Sequence, residues 1–217
     1  AGNVFGAAGA QVVIEEFLTG EEISFFVLCD GANAAEIASA QDHKRVGEGD
    51  TGPNTGGMGA YSTDGLVTPA MRQWLLRNVA QKVVDGMRAE GAPFKGILFC
   101  GLMMTPRGPM VLEFNTRFGD PETEAILLRM ETGILDLLNA SIDGTANGLT
   151  VKMQPGASAC VIAASGGYPG QYVSGKPIHG LAPGAEARED LCGFHAGTAS
   201  QSGQRVTAGG RVLAVTA

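Results

Sequence analysis

The sequence predicts a mixed α/β (α+β) fold: a core built on a mostly antiparallel sheet with helices, then a small β-rich unit. Three observations carry this. Apolar stretches of strand length come in pairs joined by tight turns. Helical periodicity and proline helix starts separate these pairs. Beyond residue 150 the chain breaks into brief strand-like pieces between glycine turns. The 217 residues, 44% of them hydrophobic, give room for one large domain or two small ones and for a buried core.

Each element follows from its residues. AGNVFGAAGAQ (1–11) is small and polar. VVIEEFL (12–18) and ISFFVLCD (23–30) read as strands, with TGEE as a tight connection. Asp30-Gly31 is a hairpin signal, and AAEIASA (34–40) is the returning strand. Residues 41–61, QDHKRVGEGDTGPNTGGMGAY, have almost no aliphatic content and are read as a long loop without a core strand. Thr68-Pro69 is a helix start, with Thr as cap and Pro at the first helical position. Met71, Leu75, Val79, Val83 and Met87 then recur every four residues, so an amphipathic helix runs to about Gly91. GILFCGLMM (96–104) reads as a buried strand. A Pro106–Pro109 turn returns it as MVLEF (110–114). Pro121 starts a helix to about Met130, and another covers Leu135 to Ser141. IDGTANGLT (142–150) reads as a linker, with a boundary near 150. SACVIAAS (158–165) and RVLAVTA (211–217) are strands of the small unit.

Several function classes are excluded. A net charge of −7 argues against coating nucleic acid or a membrane surface, both of which need a basic face. No apolar run approaches the roughly 20 residues of a membrane span, and the N-terminus carries no basic-then-apolar signal. Cys29, Cys100, Cys160 and Cys192 are widely spaced, which suits free thiols in a reducing cytoplasm. His43, His179 and His195 lack zinc spacing. There is no Walker A loop, no dinucleotide glycine fingerprint and no nucleophile elbow.

Three stretches carry chemistry. In IEEFLTGEE (14–22), a strand with Glu15, Glu16, Phe17, Leu18 and then Glu22 gathers carboxylates and backbone amides near one spot. Adenine needs such an acceptor and donor, and ribose needs a carboxylate. An ordinary strand with exposed acids would show the same pattern. In LEFNTRFGDPET (112–123), alternation puts Glu113, Asn115 and Arg117 on one face and turns Phe114 into the core. Carboxylate and amide oxygens at i and i+2 suit Mg²⁺, and an arginine beside them can neutralise a transferred phosphoryl group. Asp120 follows at a helix start, where backbone N–H groups favour an anion. The third stretch, 41–61, places Asp42 and Lys44 beside glycines whose N–H groups can cradle phosphate or carboxylate. Taken alone it suits a connector equally well.

Together these motifs, with GGYPGQY (166–172), FHAGT (194–198) and GGRVLAVTA (209–217), resemble the ATP-grasp enzymes, and within them the glycinamide ribonucleotide synthetase family. The resemblance covers essentially the whole chain in order. It implies ATP-dependent ligation of glycine to 5-phosphoribosylamine through glycyl phosphate, with ATP and Mg²⁺ or Mn²⁺, in a cytoplasmic monomer. It implies that Glu15, Glu16 and Leu18 hold adenine and Glu22 ribose. Glu113 and Asn115 would be the metal ligands and Arg117 the phosphoryl stabiliser. Asp42, Lys44, Asp120 and the 52–59 loop would hold glycine, acyl phosphate or the phosphoribosyl group. Residues 1–18 would end the ATP lid, 19–150 form the catalytic core and 151–217 the β-rich domain. Two departures matter. Gly101 stands where many ATP-grasp enzymes carry another acid. The family's N-terminal domain and its lysine-bearing lid would precede residue 1, so the isolated chain is expected to be inactive. The alternatives are another ATP-grasp carboxylate–amine ligase or a non-catalytic nucleotide-binding module.

Overall fold

A computed structural model describes residues 6–181, 187–188 and 191–217. A 3-10 turn, Gly6–Ala10, precedes strands β1 (Glu21–Asp30), β2 (Ala34–Asp42), β3 (Arg45–Gly47), β4 (Thr51–Asn54) and β5 (Gly59–Thr63). Helix α1 (Pro69–Leu75) runs through a widened π turn (Leu76–Ala80) into α2 (Gln81–Ala89). Strands β6 (Lys95–Thr105) and β7 (Gly108–Asn115) are followed by helices α3 (Glu122–Arg129) and α4 (Ile134–Asp143). The remainder is β: β8 (Ala157–Ala164), β9 (Ala187–Arg188), β10 (Leu191–His195), β11 (Thr198–Gln201), β12 (Gln204–Thr207) and β13 (Arg211–Thr216). One nine-stranded sheet runs β7-β6-β1-β2-β5-β8-β13-β10-β9, and its paired strands are antiparallel. The β5–β8 pairing joins the C-terminal strands to the rest of the sheet.

Both faces of the central strands are covered, which explains their continuous apolar runs. On one face Phe25, Val27 and Cys29 of β1 pack with Leu75, Val79 and Val84 of the α1–α2 helix. On the other, Phe26 and Leu28 pack with Ile126 of α3 and Leu137 of α4. Thr68 caps α1 by accepting the Met71 N–H at 3.3 Å, as its position before Pro69 predicts. A four-residue repeat drifts by roughly 40° per step around a 3.6-residue helix. The π turn at Leu76–Ala80 takes back part of that drift and keeps both halves of the apolar stripe on the sheet. Cys29, Cys100 and Cys160 are buried free thiols. Burial pushes Cys29 and Cys100 up to about 12, so neither is a nucleophile. No helix among the described residues is long and apolar enough to cross a membrane.

Five sequence expectations are corrected. Residues 12–18 form no strand, and Val12, Val13, Ile14 and Phe17 are 77–91% exposed. A strand needs a ladder partner, and none lies beside this segment among the described residues. The 41–61 stretch does hold strands, the β3–β4 hairpin and β5. Its Ala60 is buried, because β2 and β8 close around it from both sides. Phe114 is 42% exposed rather than in the core, since β7 is the sheet edge. Arg117 lies beyond the end of β7, so strand alternation does not place it. The 142–150 segment is no free linker. Its first residues belong to α4, Ala146 is fully buried, and the Ala146 N–H donates to Asp30 Oδ2 at 3.0 Å.

Candidate active site

The start of β1, the end of β2 and the β6–β7 hairpin enclose a cleft of about 240 Å³. Glu15, Glu22, Asp42, Lys44 and Glu113 line it, with Ser24, Gly101 and Leu112 among the walls. The topology explains the gathering. β1 lies between β2 and β6, and Gly101 of β6 pairs with Glu113 of β7. A side chain at 101 would begin 3.0 Å from Phe99 Cε1 and 3.2 Å from Glu113 Cγ. Glycine in place of an acid therefore keeps the floor open and Glu113 in place.

Charge in the cleft is tightly organised. Lys44 Nζ donates to Glu22 Oε2 at 2.7 Å. Burial works against the Lys44 charge, but the Glu22 hydrogen bond and the charges of Glu22, Asp42 and Glu113 overcome it and raise its pKa. Burial is the first cause that pushes Asp42 up to about 7, and the nearby Glu122 charge adds to it, opposed by Lys44. Asp42 Oδ1 is covered yet has no hydrogen-bond partner. Glu122, 4% exposed, accepts from Ser24 Oγ at 2.8 Å. Burial also raises Glu124, whose Oε2 is likewise covered and unpartnered.

Of the other residues singled out in the sequence, Asn115 Nδ2 donates to Glu113 Oε1 at 3.1 Å, so this pair does share a face. Arg117 Nη1 donates to the Phe118 carbonyl and is exposed. Glu16 turns away to Arg107 at 2.6 Å, and Leu18 is half-buried. Asp120 pairs with Arg211 at 3.0 Å. Ser24, Glu122 and Arg211 are polar residues of this region to which the sequence assigned no role. Glu122 sits inside RFGDPET, but its burial depends on β1. Arg211 lies in GGRVLAVTA, with no local sign of what it reaches.

The donor set fits a hard divalent cation in part. Glu113 and Asn115 offer oxygen ligands beside one another at the cleft, and Mg²⁺ keeps waters and takes nucleotide oxygens for its remaining positions. The Asn115 amide presents its nitrogen to Glu113, so ligation through oxygen requires it to turn over. Among the described residues no three of His, Cys, Asp and Glu gather as a closed metal cage.

Residues 1–123 match the model of the phosphoribosylglycinamide synthetase ATP-grasp (A) domain, and residues 158–217 match that of the C domain of the same enzyme. The chain belongs to the phosphoribosylglycinamide synthetase family. It is 51% identical over 213 residues to the phosphoribosylamine–glycine ligase of Mesorhizobium japonicum, covering 98% of this chain and 50% of that protein. It is 50% identical over 218 residues to that of Vibrio cholerae, covering all of this chain and 50% of that one. The chain thus spans about half the length of the curated relatives it matches. The solved phosphoribosylamine–glycine ligase of Thermotoga maritima superposes with a TM-score of 0.79 at 34% identity, covering 93% of this chain and 49% of that one. The biotin carboxylase domain of Hydrogenobacter thermophilus 2-oxoglutarate carboxylase, solved with MgADP, ADP and bicarbonate, shares the fold at a TM-score of 0.59 and 16% identity, over 90% of this chain and 41% of that one. Membership of the synthetase family and the mostly antiparallel sheet agree on an ATP-grasp α/β fold.

Proposed function

We propose that this chain carries the catalytic cleft of an ATP-dependent ligase that joins glycine to 5-phosphoribosylamine. One observation carries the reading: in a chain of this family, Glu15, Glu22, Asp42, Lys44 and Glu113 converge on a single cleft. A glycine carboxylate oxygen attacks the γ-phosphorus, giving glycyl phosphate and ADP. The amine of phosphoribosylamine then attacks the acyl carbon, phosphate leaves, and the nitrogen loses a proton. Phosphoryl transfer asks mainly for positioning and charge neutralisation. When bound, Mg²⁺, or Mn²⁺ in its place, supplies charge to the phosphate oxygens.

The chain's own residues do the remainder. Glu113 and Asn115 hold the metal, and Arg117 neutralises the transferred group. Glu15 and the backbone near Leu18 meet adenine, with Glu16 beside them, and Glu22 meets the ribose. Lys44 and Asp120, with the 52–59 loop, position the acid and amine substrates. Asp42, lining the same cleft, helps hold these substrates. Residues 1–18 end the nucleotide lid, 19–150 form the core and 151–217 the β-rich domain. The enzyme works as a cytoplasmic monomer.

The deciding assay couples ADP release to NADH oxidation in the protein completed to the length of its relatives. The reading expects turnover that needs glycine, phosphoribosylamine and Mg²⁺ together. Faster turnover with another amino acid would reassign it to a different carboxylate–amine ligase. Calorimetry showing no MgATP binding, and no effect of Glu113→Ala, would leave only a non-catalytic module. The 217-residue chain alone should turn over near background.

A further inference from the structure

Arg211 opens β13, in the GGR stretch that the ligase roles leave unused. Its Nη1 approaches four acceptors: the Gly56 carbonyl at 2.8 Å, the Gly57 carbonyl at 3.4 Å, the Asp120 carbonyl at 2.8 Å and Asp120 Oδ1 at 3.0 Å. These lie 91 to 155 residues away, on the two segments assigned to substrate. One nitrogen thus ties the glycine-rich loop to the turn that starts α3. The contact also explains two glycines. A side chain at Gly56 would begin 3.2 Å from Arg211 Cζ, so the loop backbone lies directly against the guanidinium. At Gly57, with φ of +112°, it would begin 2.5 Å from Pro121 Cδ and 2.7 Å from Asp42 Oδ1. Loop, turn and cleft carboxylate therefore touch in sequence. From the other side Tyr168 Oη accepts the Gly56 N–H at 3.0 Å. The Arg211 backbone is held too, since its carbonyl accepts the Gly197 N–H at 2.9 Å.

We infer that Arg211 is a positioning residue of the cleft: its guanidinium fixes the glycine-rich loop and the 119–121 turn to one another and, through Gly57, to Asp42. For its substrate the inference rests on the ligase reading. The C-terminal strands thereby become part of the site rather than a cap on the sheet. The planar, always charged fork suits several carbonyls at once. All four contacts are made by Nη1 at the end of the planar guanidinium; a lysine keeps the charge but ends in an ammonium on a flexible stem, which is not held in that plane.

Amide hydrogen exchange on the chain tests this without any turnover. The Thr55, Gly56, Gly57 and Met58 amides all have partners, the Lys44 carbonyl, Tyr168 Oη, Thr55 Oγ1 and the His43 carbonyl. In Arg211→Ala their exchange should speed up about tenfold while β1 and β6 stay unchanged. Arg211→Lys should recover part of the protection. Tyr168→Phe, which removes the second hold, should loosen Gly56 more than Met58. A second arm titrates glycine with Mg²⁺ and a non-hydrolysable ATP analogue. Glycine binding should weaken about tenfold in Arg211→Ala, less in Arg211→Lys, and analogue binding should not change. Unchanged loop exchange in Arg211→Ala overturns the inference. So does a rise spread evenly over β1, β6 and β13, which would make Arg211 a general stabiliser. If the wild-type chain binds no glycine, the ligase reading is weakened, and the exchange arm still decides Arg211.

Discussion

The two sides of the cleft are built differently. On one side Glu22, Asp42 and Glu113 are mounted on the ladder-paired strands β1, β2 and β7, with Lys44 just past the end of β2. The other, residues 12–18, brings Glu15 to the same cleft on a segment with no ladder hydrogen bonds and four exposed apolar side chains. The lesson is that identical-looking motifs can differ in what fixes them. Glu22, Asp42 and Glu113 take their places from the sheet. Glu15, Glu16 and Leu18 lie on a segment with no ladder hydrogen bonds among the described residues. The nucleotide-base side of the proposed site is therefore the less preorganised one.

Core substitutions should break this contrast most strongly. Phe25→Ala or Leu28→Ala, at fully buried positions of β1, should cost about 3–5 kcal/mol by chemical denaturation. Phe17→Ala, at a position 89% exposed, should cost under about 0.5 kcal/mol in the same experiment. A comparable loss at Phe17 would mean that the 12–18 segment is packed after all.

Next in size is Asp30, which pins the 142–150 stretch to the β1–β2 turn. Its carboxylate accepts from the Ala32, Asn33 and Ala146 N–H groups and from the Asn33 side chain. Burial by itself would raise its pKa, yet these hydrogen bonds together lower it. A lowered folded pKa gives stability that is present above the ordinary carboxylate range and is lost as pH falls through the folded value. Asp30→Ala should therefore cost about 2–3 kcal/mol at neutral pH, and its deficit should shrink in acid.

Asp42 has the opposite sign. With its pKa raised to about 7, the folded state holds a proton that the unfolded chain has already released. Stability from this group falls as pH rises from the ordinary carboxylate range towards about 7, then levels off. Asp42→Asn should remove that decline, so the variant gains on wild type across this window in melting experiments. A constant difference between the two proteins would show that Asp42 titrates normally.

Glu113→Ala should leave melting nearly unchanged, because the side chain is exposed at the sheet edge. It should weaken Mg²⁺-dependent nucleotide binding at least tenfold by calorimetry. The smallest effect belongs to the unpaired segment. The Glu16–Arg107 ion pair is short at 2.6 Å but more than 60% exposed on both sides, so Glu16→Ala should shift stability by no more than about 0.5 kcal/mol.

By itself the sequence determined the elements whose cues are local. Thr68-Pro69 set a helix start, Asp30-Gly31 a hairpin, and the runs at 23–30 and 96–104 paired core strands, because caps, turns and apolar periodicity act within a few residues. It also picked out Glu15, Glu22, Asp42, Lys44 and Glu113, which share the cleft. Only the tertiary structure decided the rest. Whether 12–18 and 59–63 form strands depended on a ladder neighbour, absent among the described residues for the first and present on both sides of the second. Whether Phe114 was core depended on β7 lying at the edge. The parts played by Ser24, Glu122 and Arg211 depended on contacts 91 to 155 residues apart, which leave no pattern in the chain because burial and charge pairing are settled by neighbours in space.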